Sequence, residues 1–214
     1  MRFLPAILGG GLCMLVSLSA RAHPVAFEGS TGLMGYHSSD MTDLEVNYSV
    51  RSWWAPSVQL LRYTRGTSRP DVVLGKVNFL AYRWNGPATQ ANIYLHGGGG
   101  VSRLNEERRG VYHLGVTADI ETRRLYFAAE ADTLRDRISA QASFWKVRGG
   151  FAPYLADFSG LHTWVILEAR QLDLAQEKRK VEIIPTLRFF YQNVLWELGS
   201  SLGGDIYFNY IIHI

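Results

Sequence analysis

Cysteine, charge and long apolar runs are all scarce in this chain. Cys13 is the single cysteine among 214 residues, and Asp, Glu, Lys and Arg make up only 19%. After the first 22 residues there is no run of about 20 apolar residues, the length that crosses a membrane as a helix. If the first segment is removed, no thiol remains, which excludes disulfides, thiolate catalysis and cysteine metal sites together.

The amino-terminal segment has the pattern of a secretion signal. Arg2 supplies a positive charge, an apolar stretch runs from Phe3 to Leu18, and Ala20-Arg21-Ala22 is a small-x-small cleavage site. We therefore predict a signal peptide over residues 1–22, which takes Cys13 with it. The mature protein is then a single domain of residues 23–214.

The charge of the mature chain excludes one class of partner. Loss of Arg2 and Arg21 leaves 20 Lys and Arg against 19 Asp and Glu, a formal charge of +1. A nearly neutral chain gives nucleic-acid binding no global electrostatic support. Apolar residues make up 47% of the sequence, so disorder is excluded on composition.

Apolar and polar residues alternate at every second position along most of the mature chain, which indicates β-strands. In the last strand, Ile206, Phe208, Tyr210, Ile212 and Ile214 alternate with Tyr207, Asn209, Ile211 and His213. The alternating runs and the breaks between them predict about twelve strands, with ten possible if a short early run is misassigned. The predicted ranges are 25–37, 41–50, 57–66, 72–84, 88–101, 110–119, 123–134, 137–150, 158–171, 177–190, 194–202 and 205–214.

A secretion signal followed by an alternating terminal strand resembles Gram-negative outer-membrane β-barrel proteins in general. In that family the terminal strand usually ends in Phe or Trp, whereas this chain ends in Ile214. The resemblance implies an all-β, antiparallel up-and-down transmembrane barrel, which the barrel-assembly machinery inserts into the outer membrane. Strands of about 9–11 residues cross such a membrane, and a chain of this length has room for twelve with short connections. The alternative is a secreted soluble barrel or sandwich with a buried inner face.

The connections between strands alternate in chemistry, which predicts an orientation. Aromatic residues such as Trp53, Trp84 and Tyr154 flank one set, and charged residues fill the other, except that the connection from Ile120 to Arg124 is charged although it belongs to the aromatic set. Because Trp and Tyr suit the headgroup level, we expect the aromatic turns and both termini at the periplasmic side. The charged turns then face outwards, and their basic residues are predicted to contact lipopolysaccharide phosphates. These residues are Arg103, Arg108, Arg109, Arg135, Arg137, Lys178, Arg179 and Lys180.

If the apolar positions face lipid, the positions between them face the lumen. They carry charges of both signs, which suits either cross-links between strands or the lining of a narrow water-filled path. The predicted lumen-lining residues are Glu45, His96, His113, Asp119, Glu130, Asp132, His162, Glu168, Arg170, Arg188 and Glu197. We predict a narrow channel for small polar solutes or a structural envelope protein, without catalysis and without a cofactor.

Histidines support two alternative functions. Cleavage after Ala22 makes His23 the first residue, and its imidazole and terminal amine together suit copper, which prefers nitrogen donors. A lipid hydrolase would need a Ser–His pair, for which Ser139 or Ser143 with an inward histidine is a candidate. The sequence has no Gly-x-Ser-x-Gly elbow, so this second alternative has less support.

Four consecutive glycines, Gly97 to Gly100, form the remaining motif. The Lys and Ser/Thr of a phosphate-binding P-loop do not follow them. We predict instead that the glycines allow strong curvature of the barrel wall, or leave space for a bulky neighbour such as Trp145 or Tyr126.

Overall fold

The computed structural model describes residues 23–65, 69–104, 106–137, 140–157, 159–174, 177 and 179–214. The predicted signal peptide, Ser139 and Lys178 lie outside the described residues. Within these ranges, no helix is long and apolar enough to cross a membrane.

The described residues form twelve β-strands, which confirm the predicted number and the all-β class. They are β1 (Thr31–His37), β2 (Met41–Tyr48), β3 (Trp54–Tyr63), β4 (Asp71–Asn85), β5 (Thr89–Leu104), β6 (Glu107–Thr122), β7 (Leu125–Arg135), β8 (Ala140–Phe151), β9 (His162–Leu174), β10 (Glu182–Tyr191), β11 (Val194–Ser200) and β12 (Ile206–His213). The predicted start of the first strand at residue 25 is wrong, because β1 begins at Thr31 and residues 25–30 are not part of a strand.

The strands close into a barrel in which each is antiparallel to its neighbours in sequence, and β1 pairs with β12. Closure gives every strand two partners, so no row of backbone amides is left for lipid, where an unpaired group is costly. At the closing seam Gly35 lies opposite Tyr210. The tyrosine ring covers the glycine so closely that a Cβ there would overlap it.

The outer face of the barrel is a belt of exposed apolar side chains. Val58, Leu114, Phe127 and Leu167 are each more than half exposed, and many other Val, Leu, Ile and aromatic residues surround them. Soluble monomers rarely expose a continuous apolar surface of this extent. The belt therefore faces acyl chains, and the chain forms a transmembrane barrel of the outer-membrane type.

The two ends of the barrel differ in surface chemistry. The proximal end, which carries both termini, has exposed aromatic residues, and there Trp53 stacks against Phe79 with 6.2 Å between ring centroids. Tyr82, Trp84 and Tyr154 are also exposed near this end. The distal end carries the charged connections. We expect the proximal end to face the periplasm, since aromatic side chains favour the headgroup level.

Two of the four consecutive glycines are required by the curvature of the wall. Gly98 and Gly100 share the inward-facing parity of β5, and a Cβ on either would overlap the backbone of β4. At Gly99, which faces outwards, the nearest atom to a Cβ would be the carbonyl oxygen of Val111 at 3.6 Å. The expectation that the glycines make room for Trp145 is wrong, because Trp145 is exposed on the outer face of β8.

Candidate functional site

All eleven predicted lumen-lining residues lie at inward-facing positions of their strands, but at different heights. Three layers describe the interior. The distal layer lies at the end with the charged connections, the middle layer lies halfway along the strands, and the proximal layer lies beside the chain termini.

The distal layer is largely apolar. It is a buried cluster of Leu61, Tyr63, Val72, Leu74, Val111, Leu134, Ala142, Leu172 and Leu174, with Met41 and Phe144 packed against it. The prediction of a polar lumen is therefore wrong at this height. Val72, Val73 and Leu74 are consecutive apolar residues, so β4 has no alternation here that could show a second apolar face.

An ionic cluster centred on Asp40 lies beside this apolar layer. Asp40 is 1% exposed, and its carboxylate accepts hydrogen bonds from Arg179 at 2.6 Å, Arg65 at 3.4 Å and Arg170 at 3.4 Å. Arg170, one of the predicted lumen residues, also lies 4.2 Å from the centre of the Tyr207 ring. The cluster ties the β1–β2, β3–β4 and β9–β10 connections together across the distal mouth.

Arg65 extends this cluster to the β11–β12 connection, where it binds Asp205 at 3.2 Å. The hydroxyl of Ser39 and the guanidinium of Arg65 lower the pKa of Asp205. Hydrogen bonds to Asp205 and Asp40 raise the pKa of Arg65. Both groups are therefore ionised together at neutral pH.

In the middle layer, Glu197 binds two guanidinium groups. Its carboxylate lies 2.6 Å from Arg188 Nε and 3.0 Å from Arg148 Nη2, and it accepts a third hydrogen bond from Asn209. Arg148 also binds Glu168 at 3.0 Å. Because Arg148 is on β8 and Glu197 on β11, this contact joins strands that are not neighbours in the wall.

Two further ion pairs complete the charged wall. Lys76 Nζ lies 2.8 Å from Glu45, whose other oxygen accepts a hydrogen bond from Asn78. Lys146 lies 2.9 Å from Glu130. A buried charge is tolerated only when it is paired and hydrogen-bonded, and each charge in these two pairs has such a partner.

The middle layer also brings two histidines to one aspartate. Asp132 Oδ1 lies 3.3 Å from His96 Nε2 and 3.0 Å from His113 Nε2, and the two imidazole rings stack with centroids 6.0 Å apart. Gly115 lies between His96 and Asp132 in the strand register, where a Cβ would overlap both side chains. Sequence analysis missed this grouping because its members lie on three strands.

The proximal layer contains the segment that precedes β1. His23 Nδ1 lies 3.6 Å from Asp119 Oδ2, and its ring stacks on Tyr94 with centroids 5.2 Å apart. Val25 is fully buried in a small cluster with Ala55 and Tyr94. Residues 23–25 thus enter the proximal mouth and narrow it.

A metal site at His23 stays a prediction. Among the described residues, no group of three or more His, Cys, Asp or Glu side chains could hold a metal ion. The imidazole instead contacts a carboxylate and an aromatic ring. Copper titration of the purified protein before and after chemical blocking of its amino terminus tests the prediction.

Of the two serines proposed for a lipid hydrolase, Ser143 is not brought to a histidine. Ser143 is exposed on the outer face of β8, and Ser139 lies outside the described residues. His162 faces inwards at the proximal end of β9, where its ring lies 6.3 Å from that of Phe190. Ser143 and the inward histidines are therefore on opposite faces of the wall.

A cavity of about 250 Å³ lies within the middle layer. His23 and Pro24 bound it towards the proximal end, and Leu134, Phe144 and Leu172 bound it towards the distal end. Between these limits its wall consists mostly of charged and hydrogen-bonding side chains. The lumen is therefore polar and spacious in the middle and narrowed towards both ends.

The predicted lipopolysaccharide contacts fall into two groups. Arg103, Arg108, Arg109, Arg135, Arg137 and Lys180 are exposed at the distal end, whereas Lys178 lies outside the described residues. Arg103 faces Arg108 across the β5–β6 hairpin. Arg109 pairs with Glu107 and Asp136, and Arg179 pairs with the buried Asp40. Arg179 thus belongs to the ionic cluster of the mouth.

No family model matches this chain, and no curated protein matches it in sequence. Among solved structures it is similar to a KdgM porin in complex with disordered oligogalacturonate, with a TM-score of 0.49 and 10% identity over 86% of this chain and 97% of that one. LpxR from Salmonella typhimurium gives 0.48 and 12% over 86% and 99%. OccK11 (OpdR) from Pseudomonas aeruginosa gives 0.45 and 11% over 87% and 67%. At such low values these similarities assign no function.

Proposed function

We propose that this barrel is a narrow outer-membrane channel for small polar solutes. The observation that carries the proposal is the cavity in the middle layer, whose wall is charged and whose ends are constricted. Barrels of eight strands are filled by side chains, and those of sixteen to eighteen hold an open aqueous channel. A twelve-strand barrel with an internal cavity lies between these limits.

The proximal constriction is made by an element that can move without breaking the barrel. Towards the proximal end, the narrowing comes from residues 23–25, which precede β1 and take no part in strand pairing. At the distal end, the apolar cluster of strand residues closes the cavity, and the connections that carry Asp40, Arg65 and Arg179 lie beside it. Gating elements are drawn from such less stable parts of a fold. Passage would require displacement of residues 23–25 and rearrangement of the distal apolar side chains.

The ion pairs of the middle layer suit the transit of polar solutes. A solute that leaves bulk water loses hydrogen bonds, and an apolar wall would not replace them. The carboxylates of Glu45 and Glu130 and the ammonium groups of Lys76 and Lys146 offer such bonds along the cavity. No single residue needs to be essential for conduction by this route.

Conductance in planar bilayers tests the proposal. Thr117 lines the cavity on β6, and Leu114 faces outwards on the same strand. Wild-type protein should give discrete channels, Thr117→Trp should reduce their conductance by filling the cavity, and Leu114→Trp should leave it unchanged. A wild-type protein that conducts at no voltage would contradict the proposal, as would equal conductance in all three proteins.

A structural role in the envelope is the second candidate. The contact between Arg148 and Glu197 favours it, because this ion pair bridges non-adjacent strands and stiffens the wall. A silent but stably inserted barrel would support this role. Envelope integrity in cells that lack the protein, measured as leakage of a periplasmic enzyme, then becomes the relevant assay.

A further inference from the structure

Three histidines around the cavity each lie against an aspartate. His96 and His113 share Asp132, and His23 contacts Asp119. Histidine is the side chain whose ordinary titration range falls between pH 5 and 8. Protonation of these imidazoles would therefore change the charge of the cavity wall.

The fixed charges of the wall give the sign of this dependence. The lining contains five carboxylates, those of Asp43, Glu45, Asp119, Glu130 and Asp132, and four basic side chains, those of Lys76, Lys146, Arg148 and Arg188. With neutral histidines the net charge of the lining is −1. Glu168 and Glu197 lie behind it and bind Arg148 and Arg188, which makes the cavity more negative still.

Protonation of His23, His96 and His113 would add three positive charges, which takes the net charge of the lining from −1 to +2, or from −3 to 0 when Glu168 and Glu197 are counted with it. An ion inside the cavity lies close to these side chains and away from bulk water, so this change in wall charge strongly alters the electrostatic potential at the ion. A negative wall favours cations and opposes anions, and a positive wall does the reverse.

We propose that the lumen passes cations in preference to anions at neutral pH, and that acidification removes or reverses this preference through the His96–Asp132–His113 cluster. This inference rests on the proposed channel function and names its solute class and its regulation. The cluster is the central element because two imidazoles share one carboxylate oxygen, so a single aspartate cannot neutralise both imidazolium ions.

The other groups around the cluster act in the same direction. The cavity wall brings Asp43 and Glu45 from β2, Tyr63 from β3 and Lys76 from β4 into the same space, with Asp119 from β6, Glu130 from β7 and Lys146 from β8. A fall in pH can only remove negative charge from these groups or add positive charge to them. None of them therefore opposes the change that the histidines produce.

The test is the reversal potential of the channel in a tenfold potassium chloride gradient, measured at pH 8 and pH 5. Wild-type protein should show a potassium-to-chloride permeability ratio above one at pH 8, which falls several-fold at pH 5. In a variant with His96→Gln and His113→Gln, most of this change should be lost. His37→Gln is the matched control, because His37 lies on the outer face of β1 against Phe208 and Tyr210 and should leave the pH response intact.

The outcomes separate the two proposals. A protein that is silent at both pH values overturns the channel function and this inference with it. A conducting protein whose permeability ratio does not change with pH, or changes equally in the double variant, overturns the inference and leaves the channel function standing. If the double variant does not insert, the single variant His96→Gln is used and should lose a large part of the response.

Discussion

The distal and middle layers of the lumen are built on the same strands by opposite means. On β7, Leu134 packs in the apolar distal cluster, whereas Glu130 and Asp132, on the same face, belong to the charged middle layer. The distal layer resembles the core of a soluble protein, in which close packing fills the space. The middle layer uses directed ion pairs, and a cavity of about 250 Å³ lies within it. One layer therefore closes the barrel, and the other keeps room inside it.

Loss of a shared carboxylate in the middle layer should have the largest effect. Glu197→Gln leaves Arg188 and part of Arg148 without a counter-charge in a buried site. Breaking a buried ion pair in this way costs about 3–5 kcal/mol. The free energy of unfolding from lipid vesicles in urea, followed by tryptophan fluorescence, measures this loss.

Glu28→Gln provides the control for that measurement. Glu28 and Arg51 form a pair at 2.7 Å in which both side chains are more than half exposed. Exposed pairs contribute about 0–1 kcal/mol. Equal losses in the two variants would show that the middle layer is not held by its ion pairs.

Truncation in the distal layer should come next. Leu74 is fully buried there, and Leu74→Ala should cost about 2–5 kcal/mol because the surrounding side chains cannot fully close the space. Leu60→Ala is the matched control, since Leu60 is 47% exposed on the outer face, where acyl chains can fill the gap. The same unfolding assay compares them. A greater loss for Leu60→Ala would mean that the distal layer does not pack as a core.

A methyl group added at the curved wall between the two layers should have a smaller but clear effect. Gly100→Ala places a Cβ against the carbonyl of Val73, and overpacking of this kind costs about 1–3 kcal/mol. Gly99→Ala makes only an ordinary van der Waals contact, with the carbonyl oxygen of Val111 at 3.6 Å, and should change the free energy of unfolding little. If the two alanine variants unfold alike, curvature is not the reason for the glycine run.

The smallest expected effect concerns the outside of the distal end. Replacing Arg103, Arg108 and Arg137 by Gln should hardly change stability. It should weaken lipopolysaccharide binding by about 0.2–1 kcal/mol for each exposed charge, and so lower the amount of lipopolysaccharide retained after purification. Arg51→Gln at the proximal end is the control and should retain the wild-type amount. Unchanged retention in the triple variant would remove the proposed contact.

The sequence predicted the wall of this barrel better than its contents. Alternating runs and the breaks between them sufficed to count strands and to separate their faces, because lipid on one side and polar groups on the other favour a period of two. In the distal part of β4 both faces are apolar, so alternation carries no information about Val72 and Leu74. The sequence analysis missed the apolar distal layer for this reason.

Contacts between distant strands were also beyond sequence reasoning. His96, His113 and Asp132 were each predicted to face inwards, but only the register of β5, β6 and β7 brings them to one point. The path of residues 23–25 depends on burial of Val25 against Ala55, which no local pattern indicates. Local patterns report which face a residue occupies, and tertiary structure decides what it meets there.

Accessibility of single cysteines on β6 tests the central claim most directly, because Cys13, in the predicted signal peptide, is the only native cysteine. In lipid vesicles, Thr117→Cys should react with a small water-soluble thiol reagent. A nitroxide spin label attached to Leu114→Cys should instead have its electron spin relaxed by collisions with oxygen dissolved in the lipid, and not by a water-soluble nickel complex. Rapid reaction of Leu114→Cys with the aqueous reagent, together with protection of Thr117→Cys, would contradict a barrel with lipid outside and a polar lumen within.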